Sequence, residues 1–147
     1  MNILIHATVV VPTIGRDSLF ECLTSLESQT YKNFDVIVVG TTAHSKKIAE
    51  KFEVKFIRSH VWNNAYQKNL GAKEAQGEVI AFLDDDSIAQ SDWLKFLLQH
   101  YKESEVACVG GKIEILLKRN LPSFLRFLPK DVRKGFLGGT LLPYTKA

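Results

Sequence analysis

Three aspartates, Asp84-Asp85-Asp86, stand in a row directly after the apolar run Val79–Leu83. Adjacent carboxylates repel one another unless a cation lies among them. On an extended segment, positions i and i+2 point the same way. Asp84 and Asp86 are therefore expected to converge, with Asp85 turned aside. Two convergent carboxylates suit a hard divalent cation, Mn2+ or Mg2+, which keeps waters and takes substrate phosphates as further ligands. The competing reading is an Asp-rich turn that solvates itself and caps the following helix. His6, His44, His60 and His100 have no mutual metal spacing and read as ordinary core or surface residues. No Gly-x-Gly-x-x-Gly or Walker pattern is present, so dinucleotide and P-loop chemistry fall away.

The elements that must position these aspartates alternate between strand and helix. Ile3–Val11 is a β-branched and apolar run broken by His6, as in a strand buried on both faces. It ends in Pro12-Thr13-Ile14-Gly15. Ser18 with Glu21 forms a capping-box pattern ahead of a helical stripe of Leu19, Cys22, Leu23 and Leu26. Asp35–Val39 predicts a second strand, a helix is expected around Lys46–Phe52, and Val54–Ile57 reads as a third strand. Asn64–Ala75 reads as helical, with Gly77 as its stop. Gly71 reads as a close-packing position. Val79–Leu83 predicts a fourth buried strand, Ser91 a helix cap, and Val106–Val109 and Lys112–Leu117 further strands. Trp62 and Trp93 are expected to pack.

Such alternation implies an α/β, doubly wound, mostly parallel sheet with helical crossovers. These sheets bind ligands beyond the carboxyl ends of their strands, where the strand order reverses. With the order 3-2-1-4, the reversal lies between strands one and four. Pro12-Thr13 and Asp84-Asp85-Asp86 are the residues just past those two strands.

The segment VVVPTIGRDSLFECLTSLESQTYKNFDVIVV resembles the opening of family 2 glycosyltransferases of the GT-A fold. Asn69-Leu70-Gly71 and the run from Gly77 to Asp86 resemble that family's Asn-x-Gly helix and its Asp-x-Asp strand end. Asp92-Trp93-Leu94 and Gly110-Gly111 continue the similarity, which covers about residues 7–115. The resemblance implies that residues 1–115 form a nucleotide-sugar donor-binding domain. Residues 116–147 would be a basic, Phe/Leu-rich extension at the start of the acceptor side, so a truncated form of the fold is expected. It further implies Pro12, Thr13, Lys68, Asp84 and Asp85 around the donor, and Asp86 as the metal ligand. The implied reaction is metal-dependent sugar transfer with inversion from a nucleotide-diphosphate sugar, a UDP-sugar foremost, to a glycan or lipid-linked acceptor. Where the family carries an acidic pair after the second strand, this chain has Gly40 and Thr41, which leaves the base open; backbone groups or the Thr41 and Thr42 hydroxyls are the alternatives. Asp131 is the one acid in residues 116–147; the catalytic base is left open, with Asp131 the candidate, Glu114 lying within a strand pattern and a partner subunit the other source.

Other functions fit less well. A sugar nucleotidyltransferase needs a Gly-rich, basic loop after the first strand, and here that loop has one glycine and one cation, Gly15 and Arg16. A phospho-receiver domain would place an acidic pair where Pro12-Thr13 stands. A non-catalytic nucleotide-sugar binding module remains an alternative.

Composition agrees with one globular domain: 147 residues, 46% hydrophobic and 24% charged. The first residues carry no basic flank and no apolar run is long enough to span a bilayer, so neither a signal peptide nor a membrane helix is expected. Cys22 and Cys108 are expected to be buried, reduced thiols, and a cytoplasmic location is expected with them. Residues 1–111 hold 11 Lys/Arg against 14 Asp/Glu, a net of −3, and residues 112–147 hold 8 against 2, a net of +6. No nucleic-acid motif organises these charges, so nucleic acid is not an expected partner. The segment Leu121–Phe136 mixes Phe and Leu with Arg126, Lys130, Arg133 and Lys134, which suits either an ordinary surface or peripheral contact with an anionic membrane.

Overall fold

The computed structural model describes residues 4–103 and 105–114. The chain divides into two units, Met1–Gly110 and Gly111–Ala147. In the described part of the second unit, Lys112 Nζ lies 2.6 Å from Glu114 Oε1.

The first unit runs β1 (Ala7–Thr13), α1 (Ser18–Glu27), β2 (Phe34–Gly40), α2 (Ala43–Lys51), β3 (Lys55–Arg58), α3 (Asn64–Glu74), β4 (Val79–Phe82) and α4 (Trp93–Leu98), with a short 3-10 turn at Gln99–Lys102. All pairings are parallel, in the order β3-β2-β1-β4. This is the doubly wound α/β arrangement expected from the alternation of elements, with the reversal between β1 and β4. Among the described residues no helix is long and apolar enough to cross a membrane.

β1 is buried along its whole length because it lies between β2 and β4 with helices on both faces. Val9, Val11, Val38, Ala81 and Leu83 join Leu19, Cys22, Leu23, Leu26, Ile48, Leu94 and Leu98 in the main apolar cluster. The opposite face holds a thinner cluster of Val10, Ile37 and Val39, packed by Ile57 and by Leu70 of α3. Gly71 permits this approach. A Cβ there would lie 2.4 Å from Val10 Cγ1 and 3.0 Å from Val39 Cγ2, as the close-packing reading of that glycine requires.

Several local expectations are corrected. Residues 4–6 precede β1 rather than forming part of it. Ser18 is the first residue of α1 and not its cap: Asp17 before it is already helical, and the Ser18 hydroxyl is buried without a hydrogen-bond partner among the described residues. A capping side chain needs an extended backbone, which that position lacks. Thr42 does cap α2, accepting from Ser45 N at 3.1 Å, so that helix starts three residues earlier than expected. Gly77 is not the stop of α3, which ends at Glu74. It is where two backbones touch: its N–H donates to Thr8 Oγ1 at 2.9 Å, and a Cβ would lie 2.4 Å from Thr8 N.

Ser91 does not cap α4. Its carbonyl accepts from Thr30 N, and the helix is capped from outside by buried Gln29, whose Oε1 accepts from Leu94 N at 3.0 Å. Residues 106–109 and 112–114 are not strands, because a ladder needs a partner and none is paired with them among the described residues. β4 is half exposed rather than buried on both faces. α3 lies over β1 and β2, which leaves Ile80 and Phe82 in solvent. Trp62 is 73% exposed, against the expectation of packing. Both cysteines are free, as expected, but only Cys22 is buried and Cys108 is exposed.

Candidate functional site

Val10 O accepts from Leu83 N at 3.2 Å, the last link between β1 and β4. Residue Pro12, two positions on, faces the same side. It has no N–H to continue the ladder, and beyond it the two strands part. β1 therefore delivers Thr13 to one wall of a crevice, while β4 delivers Asp84, Asp85 and Asp86 to the other.

The aspartates divide between two cations. The chain leaves extended geometry after Phe82 and turns at Asp85-Asp86, so the i, i+2 alternation does not govern them. Asp84 Oδ1 meets Lys68 Nζ at 3.0 Å and Asn64 Nδ2 at 3.3 Å, both from α3. Asp85, expected to turn aside, is instead the most enclosed. Its side chain is 6% exposed and accepts from Thr13 Oγ1 at 2.5 Å. Asp86 is 58% exposed. Arg16, in the loop after β1, spans this second pair, with Nη1 at 3.4 Å from Asp85 Oδ1 and 2.8 Å from Asp86 Oδ2.

Environment separates two of these carboxyls electrostatically. Desolvation pushes Asp84 up, but the hydrogen bonds from Lys68 and Asn64 and the charges of Lys68 and Arg16 outweigh it, leaving its pKa below the ordinary value. Desolvation also pushes Asp85 up, and there the Thr13 hydrogen bond and Arg16 do not reverse it, since Asp86 and Asp84 add like charge. Cys22 lies beneath, its Sγ 3.7 Å from Asp84 O. Burial, with the charges of Asp85, Asp86 and Asp84, pushes its thiol up to about 12, so it stays protonated and unreactive.

Further residues complete the frame. Gln67 is buried and donates from Nε2 to Thr13 O at 3.2 Å, tying α3 to the β1 turn. Gly15, at φ +97°, donates its N–H to Thr13 Oγ1 at 3.0 Å and sets the turn that carries Arg16. Gln29 Nε2 and Ser25 Oγ bind Gln90 O at 2.7 Å and Ala89 N at 3.0 Å, which anchors the chain after Asp86. At the end of β2, Thr42 Oγ1 is engaged by Ser45, but Thr41 Oγ1 is buried without a hydrogen-bond partner among the described residues. Of these, Gly15 and Arg16 stood out in the loop after β1, and Thr41 and Thr42 in place of an acidic pair, whereas Gln67, Gln29 and Ser25 carried no signal.

No cluster of three or more His, Cys, Asp or Glu is arranged to enclose a metal among the described residues. The donors present are carboxylate oxygens, with Asp86 open to solvent. They fit a hard cation that draws its remaining ligands from water and a diphosphate, and they do not fit a closed structural metal site. A depression of about 300 Å³ between α1, β2 and the turn after α2, lined by Leu23, Leu26, Phe34, Val36 and Phe52, contains none of the three aspartates. Asp131 lies outside the described residues.

An all-parallel sheet whose order reverses beside a carboxylate-rich turn is a doubly wound α/β fold with its site at the switch point, and comparison with known proteins places it in the GT-A class. Residues 8–130 match the family model of Glycosyl transferase family 2, and the chain belongs to that family. Glycosyltransferase GlyG of Streptococcus pneumoniae serotype 4 is 32% identical over 113 residues, 71% of this chain and 38% of GlyG. Glycosyltransferase AglE of Haloferax volcanii is 27% identical over 118 residues, 73% of this chain and 39% of AglE. Among solved structures, S. aureus TarS 1-349 in complex with UDP matches with a TM-score of 0.64 and 26% identity over 82% of this chain and 39% of that one. The mannosyltransferase PcManGT from Pyrobaculum calidifontis, in complex with GDP-Man and Mn2+, shares the fold with a TM-score of 0.62 at 21% identity, covering 69% of this chain and 34% of that one. The chain thus spans about two-fifths or less of the length of these proteins.

Proposed function

We propose that this chain binds the nucleotide-diphosphate sugar of a glycosyl transfer reaction in the crevice between β1 and β4, and that the reaction inverts the sugar. The observation that carries this reading is the placement of Thr13 and Asp84–Asp86 on facing walls at the reversal of strand order, in a chain of this family. Pro12 and Thr13 line the nucleoside side. Lys68, tied to Asp84, brings positive charge toward the phosphates, and Asp85 braces the wall through Thr13. Backbone groups at the end of β2 are the proposed contact for the base where a carboxylate is lacking, since Thr41 Oγ1 is buried and Thr42 Oγ1 is engaged by Ser45. UDP is the nucleotide proposed, supported by the TarS complex.

Asp86 is the proposed ligand of Mn2+ or Mg2+, which when bound would stabilise negative charge on the departing diphosphate. Inversion further requires a base on the face of the sugar opposite that diphosphate. Asp84–Asp86 belong to the leaving-group side, so the base must come from elsewhere, and Asp131 is the residue of this chain proposed for it. A glycan or lipid-linked hydroxyl is the proposed acceptor, and the cytoplasmic face of a membrane the proposed place of action.

Calorimetry of UDP binding in Mn2+ and in chelator tests the reading. Asp86→Ala should lose the metal-dependent part of binding, about 10–100-fold for contacts to a charged group, with an unchanged circular dichroism spectrum. Equal binding by the wild type in Mn2+ and in chelator would overturn it.

A further inference from the structure

We propose that Arg16 is a resident counter-ion that the divalent cation must displace, so that metal and nucleotide enter the crevice together and metal alone is held weakly. The inference rests on the reading of Asp86 as the metal ligand and adds to it the residue that decides when Asp86 becomes available.

The geometry carries the argument. Arg16 Nη1 lies 2.8 Å from Asp86 Oδ2 and 3.4 Å from Asp85 Oδ1, so one guanidinium bridges two adjacent carboxylates and offsets one of their two charges. Asp84 has a cation of its own in Lys68. Asp85 is also held by Thr13 and is enclosed, whereas Asp86 is the open member of the pair. A divalent cation approaching Asp86 therefore competes for an oxygen already engaged by a positive group. Two cations cannot share that oxygen closely without strong repulsion.

Arg16 is free to yield. Its side chain is half exposed, and it follows Gly15, whose left-handed backbone forms the turn. A guanidinium displaced from two carboxylates needs another planar acceptor pair, and a diphosphate offers one. Nucleoside diphosphate thus removes the competitor from Asp86 and supplies the metal with further oxygens in one event. Lys68 does not duplicate this role, because it approaches from α3 and pairs with Asp84. By linkage, the factor by which UDP tightens Mn2+ must equal the factor by which Mn2+ tightens UDP.

Titration calorimetry on the 147-residue chain, with MnCl2 alone, UDP alone and each in the presence of the other, reads this coupling. Arg16→Gln should bind Mn2+ alone about tenfold more tightly than the wild type and bind UDP in saturating Mn2+ about tenfold more weakly, a coupling of ordinary allosteric size. Arg16→Lys keeps a cation beside Asp86 and should retain weak binding of Mn2+ alone; it also serves as the folded control. If Arg16→Gln binds Mn2+ within twofold of the wild type while Asp86→Asn loses metal-dependent UDP binding, the role of Arg16 is overturned and the metal assignment stands. If Asp86→Asn binds Mn2+ and UDP as the wild type does, the metal assignment itself fails, and the role of Arg16 with it.

Discussion

On the face covered by α1, α2 and α4, Leu19, Leu23, Leu26, Ile48 and Leu94 press against Val9, Val11, Val38 and Ala81. On the other face α3 meets Val10, Ile37 and Val39, and its own buried residues are Gln67 and Gly71. The first face is an apolar layer of the kind that supplies most folding stability. The second contributes little apolar area, yet Asn64, Gln67 and Lys68 all reach the crevice from it. Helices of similar length on one sheet thus differ in what their buried residues do. α1 is held by volume, and α3 by a close approach and one hydrogen-bonded amide.

This contrast can be broken at either end. Leu23→Ala on the α1 face should cost the most stability, about 2–5 kcal/mol for a buried leucine truncated to alanine. Its metal-dependent UDP binding should match the wild type wherever the protein is folded. Urea unfolding and calorimetry together check this, and a binding loss without a stability loss would contradict the division of roles.

Gly71→Ala on the α3 face should cost less stability, about 1–3 kcal/mol for overpacking against Val10. It should weaken UDP binding at least as much in free-energy terms, because α3 cannot move from β1 without taking Lys68 and Gln67 with it. Unchanged UDP affinity in this variant would show that α3 is structural only.

Lys68→Met tests the smallest effect. The pKa of Asp84 is lowered, so the contact stabilises the fold above the ordinary aspartate value of about 3.9, and this contribution is lost as pH falls through the depressed value. The stability gap between wild type and variant should therefore be small and flat near neutral pH and should close under acid. Half-exposed Asp84 keeps it modest. A gap that persists at pH 2 would assign the effect of Lys68 to its packing near the Phe82 ring, 6.0 Å from Nζ.

The architecture was legible because it rests on short-range rules. Buried parallel strands need continuous apolar runs, helices between them need apolar stripes, and their alternation leaves few topologies. Pro12-Thr13 and Asp84–Asp86 were legible as a site for the same reason, since both follow directly from where strands end. Boundaries and caps were less legible. Ser18 and Ser91 carried plausible cap signals, but the N-terminus of α4 is served by Gln29, 65 residues away from Leu94 in sequence.

By itself the sequence determined the α/β fold class and marked Pro12-Thr13 and Asp84–Asp86 as the two strand ends that meet, once the order β3-β2-β1-β4 is taken. Tertiary structure decided how the three aspartates are used. An alternating backbone would have paired Asp84 with Asp86, but the chain turns after Phe82, and Asp84 goes to Lys68 while Asp85 and Asp86 share Arg16. Those partners come from α3 and from the β1 turn, and no local periodicity encodes which cation reaches which carboxylate. That choice depends on how closely Gly71 lets α3 approach Val10 and on the turn set by Gly15, both of which take form only once the sheet has assembled.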